Sequence, residues 1–301
     1  MQRRSILQLA VAGATGVGLA SPPAAALPAP RRKPAKILTR DGVGLHYQDW
    51  GAGKPVVFLH SWALASDMWA YQISPLVRAG RRCIAFDRRG HGQSDIPAGG
   101  YDYDTLADDL AAVLETLDLT DVTLVGHSMG GAEIVRYLGR HGAGRVEKTV
   151  LLAPTIPYML KTRDHPFGLD RAAVDAIQAV WRRDFPQWLA DNAGPFVTRE
   201  TSPAMLRWLS DIMTRTPLET MIACNDTVVG TDFRTELPDI RTPTLILSGD
   251  KDFSAPLELT SRIAAEAMPN ARLAVISGAP HGLFVTHMDQ VNSQIAAFLA
   301  S

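Results

Sequence analysis

Cysteine is almost missing from this chain: among its 301 residues only Cys83 and Cys224 carry a thiol. That excludes a disulfide-stapled scaffold and a thiolate zinc centre. Cys83 lies in the apolar run Cys83-Ile84-Ala85-Phe86, and Cys224 lies in a helical stretch far downstream. Two buried free thiols are therefore expected rather than a bridge. Excess charge is missing too: 30 basic and 31 acidic side chains leave a formal net charge of −1. That balance argues against a strong general attraction to nucleic acid or an anionic membrane. The eight histidines show no metal-ligand spacing, so no metal is expected; no cofactor is expected either. No internal repeat and no long low-complexity tract interrupts the body of the chain.

The amino terminus stands apart from that body. Arg3-Arg4-Ser5-Ile6-Leu7 precedes an apolar, glycine- and alanine-rich stretch, and Ala24-Ala25-Ala26 offers small residues for cleavage. Residues 1–26 read as a bacterial twin-arginine signal peptide, and 27–35, rich in proline and basic residues, as a flexible leader. The apolar run is too short and glycine-rich for a stable membrane anchor. The expected location is periplasmic or secreted. Gly13-Ala14-Thr15-Gly16-Val17-Gly18 superficially looks like a nucleotide-binding loop, but no βαβ unit follows it.

Hydrophobic residues make up 46% of the chain, enough for one large domain with a modest insertion. Pro55-Val56-Val57-Phe58-Leu59 reads as a buried strand, as do residues 82–87, 122–125 and 146–152. Leu106, Leu110, Val113, Leu114 and Leu117 recur at helical spacing between two of these strands. Alternating strands and helices predict an α/β fold, a mostly parallel sheet with helices on both faces. From 157 to 239 helical patterns dominate, at 171–183, 203–215 and 218–224. The strand pattern resumes at Thr244. The sheet domain is thus expected over 36–156 and 240–301, with 157–239 as an inserted helical cap. Of the large apolar residues there, Trp181, Trp188, Phe196, Trp208 and Met213, most are expected to pack cap helices together rather than line a pocket.

The chemistry concentrates at strand ends. Thr123-Leu124-Val125 leads into Gly126-His127-Ser128-Met129-Gly130-Gly131, and a helical pattern follows. Gly-x-Ser-x-Gly between a strand and a helix is a candidate nucleophile elbow, a sharp turn that exposes the serine hydroxyl. The glycines leave room where a side chain would strike neighbouring backbone. On its own the pattern equally describes a serine in a tight turn. Two further loops change that balance. The strand Thr244-Leu245-Ile246-Leu247-Ser248 runs into Gly249-Asp250-Lys251-Asp252, and Leu273-Ala274-Val275-Ile276 runs into Gly278-Ala279-Pro280-His281. Serine, acid and histidine so follow three strands in the order of a hydrolase triad. In a parallel sheet those strand ends share one edge.

On these motifs the chain resembles the α/β-hydrolase superfamily, and within it the cofactor-free chloroperoxidase, aryl-esterase and perhydrolase group. His60-Ser61-Trp62 and Phe86-Asp87-Arg88-Arg89-Gly90-His91-Gly92-Gln93-Ser94 match that family's loops after its third and fourth strands. The resemblance covers nearly everything after residue 36. It implies the α/β-hydrolase fold with an inserted cap. It implies Ser128 as nucleophile, Asp252 as acid and His281 as base, with the backbone N–H groups of Trp62 and Met129 forming an oxyanion hole. Ser61 departs from the pattern, which has glycine there, and adds a side chain beside that hole. His60 and His91 are read as structural hydrogen-bonding groups.

The implied activity is hydrolysis of a small or aromatic carboxylic ester through an acyl-enzyme. One alternative is perhydrolysis, the peracid formation that underlies cofactor-free haloperoxidase behaviour. Perhydrolase-type members tend to carry proline after the oxyanion-loop aromatic, whereas Ala63 follows Trp62 here. Another is a non-catalytic ligand sensor on the same fold. The expected partner is a small-molecule ester, and oligomeric state is not legible.

Overall fold

Strands that are apolar on both faces must be covered on both faces, and the central strands of this sheet are. The computed structural model describes residues 34–301. The expected signal peptide and most of the leader lie outside the described residues. Residues 35–301 form one compact unit. A short antiparallel pair, β1 (Ile37–Leu38) and β2 (Gly44–Leu45), precedes the main sheet. The main sheet holds β3 (Tyr47–Trp50), β4 (Pro55–Leu59), β5 (Arg82–Phe86), β6 (Val122–His127), β7 (Val146–Leu152), β8 (Thr244–Gly249) and β9 (Ala271–Ile276). Its order is β3-β5-β4-β6-β7-β8-β9, with only β3 antiparallel to its neighbour.

Side chains alternate along each strand, and the two faces feed two cores. Val57, Leu59, Ile84, Phe86 and Leu124 face one core, shared with α2 (Tyr103–Thr116) and α3 (Met129–His141). Val56, Phe58, Cys83, Ala85 and Val125 face the other, shared with α1 (Ala70–Arg78) and α9 (Met288–Ala300). The helical stripe Leu106, Leu110, Val113 and Leu114 is fully buried. Cys83 and Cys224 are free and buried. Burial pushes both thiols up to about 12.

Between β7 and β8 the chain forms α4 (Arg171–Asn192), α5 (Pro203–Met213) and α6 (Leu218–Gly230). Residues 157–170 are not helical; isolated bridges pair Leu160 with Leu169 and Thr162 with His165. Helix α4 runs nine residues beyond the expected 183, across a kink at Asp184 (φ −160°, ψ 80°) two residues before Pro186. The remaining α-helices among the described residues are α7 (Ser261–Ala267) and α8 (Leu283–Thr286).

Topology places the candidate site. From β4 the chain passes outward to β5, then returns to β6 on β4's other side. At such a switch point the loops after β4 and β6 open side by side at the carboxyl edge. The register aligns Leu59 with Gly126 and His127 with Leu152.

Candidate active site

Ser128 sits between the last residue of β6 and the first of α3, at φ 54° and ψ −115°. A non-glycine residue in that region carries strain of roughly 1–3 kcal/mol. The surroundings hold it there: its N–H donates to the Leu152 carbonyl at 2.8 Å, and its carbonyl accepts from Gly131 N–H at 3.0 Å. The flanking glycines are sterically required. A Cβ on Gly126 would lie 2.4 Å from the Gly130 carbonyl oxygen, and one on Gly130 would lie 2.4 Å from that of Leu59. Gly130 thus presses the start of α3 against the loop after β4. That contact sets Met129, at the start of α3, beside the loop after β4 that carries Trp62. Met129 is the first residue of its helix, so its N–H has no acceptor within the helix.

His281 follows β9, and its Nδ1 lies 2.7 Å from Asp252 Oδ2 in the loop after β8. The other Asp252 oxygen accepts from the N–H groups of Ser254 and Ala255, each at 2.8 Å. Burial pushes the Asp252 carboxyl up. The His281 charge and hydrogen bond, with Ala255 N–H, outweigh burial and leave it below its usual value. A carboxylate at Nδ1 leaves Nε2 as the ring nitrogen available to the cavity. Asp250 instead accepts from Gly278 N–H at 2.7 Å, bracing the turn after β9.

Ser128 and His281 line one cavity of about 340 Å³ with Ser61, Trp62 and Thr155. Helices α4 to α6 roof it. Trp188, Phe196 and Met213 stand in its wall, which corrects the expectation that most such residues serve packing alone. Trp181 and Trp208 do pack: Trp181 lies on Trp62 with ring centroids 4.8 Å apart, and Trp208 meets Tyr71 edge-on. The roof also grips the loops below. The Trp62 indole donates to the Met221 carbonyl at 2.7 Å, and Thr216 Oγ1 donates to the Ala63 carbonyl at 3.0 Å. Gly282 N–H donates to the Phe196 carbonyl at 2.7 Å. Ser61 is buried and lines the cavity, and its N–H reaches Met68 Sδ at 3.4 Å.

Beneath the loop after β4 lies a buried ionic network. Arg88 pairs with Glu133 of α3 at 2.7 Å, and both are buried. The same guanidinium donates to the His60 carbonyl at 2.8 Å, and Arg88 N–H donates to His60 Nε2 at 2.9 Å. Burial pushes Glu133 up to about 6 against the pull of Arg88. His91 packs on His60 and contacts the Arg89 carbonyl through Nδ1. Neither His60 nor His91 is among the cavity-lining residues. Sequence reasoning did not assign roles to Arg88, Glu133 or His127. An acid at position 133, on an otherwise apolar helix face, was the available signal for the network. Among the described residues no helix is long and apolar enough to cross a membrane, and no side-chain cluster suits a metal.

A mostly parallel sheet, a serine on a strained strand-to-helix elbow and a carboxylate–histidine pair beneath a helical roof define the α/β-hydrolase class of enzymes. The sequence model of the alpha/beta hydrolase fold matches residues 54–204, and the chain belongs to that family. It is 42% identical to a non-heme chloroperoxidase of Kitasatospora aureofaciens, over 87% of this chain and 98% of the relative. It is 35% identical to a bifunctional esterase/perhydrolase of Acinetobacter calcoaceticus, over 88% and 99%. An esterase structure from Exiguobacterium antarcticum superposes with a TM-score of 0.86 at 33% identity, covering 88% of this chain and 99% of the other. A bromoperoxidase structure from Bacillus anthracis gives 0.84 at 38%, covering 88% and 98%.

Proposed function

We propose that this protein is a serine hydrolase that cleaves small or aromatic carboxylic esters through an acyl-enzyme. The observation that carries this reading is Ser128, held at φ 54° on its elbow and lining one cavity with the Asp252-paired His281. In this reading Ser128 Oγ attacks the acyl carbonyl and His281 accepts its proton. Asp252 orients the ring and stabilises the imidazolium. The N–H groups of Trp62 and Met129 receive the oxyanion, each donor being worth about 3–4 kcal/mol of barrier. The alcohol leaves with the proton from His281, and water cleaves the acyl-enzyme. The aromatic, largely apolar cavity wall favours compact apolar esters.

Hydrogen peroxide in place of water would give a peracid from the same acyl-enzyme. The names of the relatives support that second reading. Ala63 at φ 56° speaks for hydrolysis, since that conformation is closed to the proline of perhydrolase-type members. The test is turnover of nitrophenyl esters by the protein and by Ser128→Ala. Turnover lost in the variant, together with phosphonate labelling of Ser128, supports the reading. Near-normal turnover by a clean Ser128→Ala preparation defeats it, and binding without turnover points to a sensor.

We also propose export by the twin-arginine route, on the strength of Arg3-Arg4 and Ala24-Ala25-Ala26. Replacing both arginines by lysine should strand the protein in the cytoplasm. Undiminished recovery of a processed periplasmic form would sink the idea.

A further inference from the structure

We propose that His127, the residue before the nucleophile, is a positioning residue for His281, acting through a hydrogen bond to its main chain. The inference rests on the acyl-enzyme reading above. His127 ends β6 and is completely buried. Its Nε2 lies 2.9 Å from the His281 carbonyl oxygen, 154 residues away in sequence. A carbonyl only accepts, so Nε2 carries the proton. The other nitrogen, Nδ1, is buried without a hydrogen-bond partner. A phenylalanine would fill this space with no orphaned nitrogen, so the Nε2–H donor is what histidine adds here.

The bond matters because of what it completes. The peptide joining His281 to Gly282 is held at both ends: its carbonyl by His127 Nε2–H at 2.9 Å, its N–H by the Phe196 carbonyl at 2.7 Å. With the plane clamped, the backbone cannot swing the His281 ring away from the cavity. The ring itself packs against both His127 (centroids 4.7 Å apart) and Phe196 (5.6 Å). One of these anchors is the direct chain neighbour of Ser128. The His127 bond therefore fixes nucleophile and base in a common frame. Burial, with the nearby His281 charge, pushes His127 down to about 3, so it stays neutral beside an imidazolium.

The experiment compares His127→Phe, which has no donor, with His127→Gln, whose amide replaces Nε2–H. Steady-state kinetics on a nitrophenyl ester are read beside thermal melting. The phenylalanine variant is expected to lose kcat on the order of 10–100-fold with KM within about twofold, as misplacing a catalytic group by an ångström does. The glutamine variant should recover to within about threefold of the parent. If His127→Phe does not fold, His127→Leu, equally without a donor, replaces it. In a His281→Ala background the donor-free substitution should cost nothing further, because the group it positions is gone. Equal kcat in the phenylalanine and glutamine variants overturns the proposal, as does a full additional loss in the His281→Ala background. Undiminished turnover by His281→Ala itself would instead remove the acyl-enzyme reading, and this inference with it.

Discussion

Asp252 meets His281 Nδ1 at 2.7 Å, while Asp250, two residues earlier on the same loop, accepts from Gly278 N–H at 2.7 Å. Both carboxylates follow β8 and both reach the loop after β9, yet they do different things there. Asp252 is buried and hydrogen-bonds a ring; Asp250 is exposed and braces a turn.

Asp252→Asn should therefore lower kcat on the order of 10³–10⁴-fold, because an amide favours the wrong histidine tautomer. Asp250→Asn should lower it less than about tenfold, since an amide oxygen still accepts from Gly278 N–H. Pre-steady-state acylation rates of the two variants check this. The reverse ranking would make Asp250 the functional acid.

The protein should be acid-labile because of its buried histidines, independently of the Asp252–His281 pair. His60, His91 and His127 are all buried. Burial, aided by neighbouring positive charge, pushes His91 and His127 down to about 3 and His60 well below its usual 6.5. A histidine with a depressed folded value contributes stability that is full above 6.5 and shrinks as pH falls toward the folded value. Each such group costs about 1.4 kcal/mol per pH unit in that window. Glu133, pushed up to about 6, works the other way between about pH 6 and 4.5, and burial raises Asp109 and Glu236 in the same sense. The histidines begin to lose stability first, from about pH 6.5, so the fall in pH from 7 leaves a net loss. Urea midpoints should fall steeply from pH 7 to 5, and His91→Asn should flatten that fall. An unchanged pH profile in the variant would remove the histidines as the cause.

The parallel core was legible because β4, β5 and β6 are buried on both faces and so read as unbroken apolar runs. β3 (Tyr47–Trp50) was not, because it is a four-residue edge strand with only Tyr47 buried. The far half of α4 was hidden by Pro186, which reads as a stop although the chain resumes its helix past the kink at Asp184. At the site, Gly126, Ser128 and Gly130 were legible because the elbow is local. His127 was not singled out, since its partner comes from a loop 154 residues on. Arg88 and Glu133 are separated by 45 residues, and no local pattern pairs them.

The loop after β4 offers the sharpest test of hydrolysis against peracid formation. Ala63 is fully buried at φ 56°, and its carbonyl accepts from Thr216 Oγ1 at 3.0 Å. Proline requires φ near −65°, so Ala63→Pro must rotate this bond by roughly 120°. That rotation moves the Trp62 carbonyl, which precedes the bond, and disturbs the Trp62 N–H proposed for the oxyanion. Ester hydrolysis should fall at least tenfold, a barrier increase of about 1.4 kcal/mol or more. Ala63→Gly, which tolerates positive φ, should keep turnover within a few-fold. If the displaced carbonyl comes to face the acyl group, it accepts a hydrogen bond from peroxide, and the peracid-to-acid ratio rises in the proline variant. Product partition at one fixed peroxide concentration, with ester hydrolysis measured in parallel, reads both effects. Full hydrolysis by Ala63→Pro would show that this backbone conformation is immaterial to the oxyanion loop. Peracid formation by the unmodified protein faster than its ester hydrolysis would replace the esterase assignment with perhydrolase.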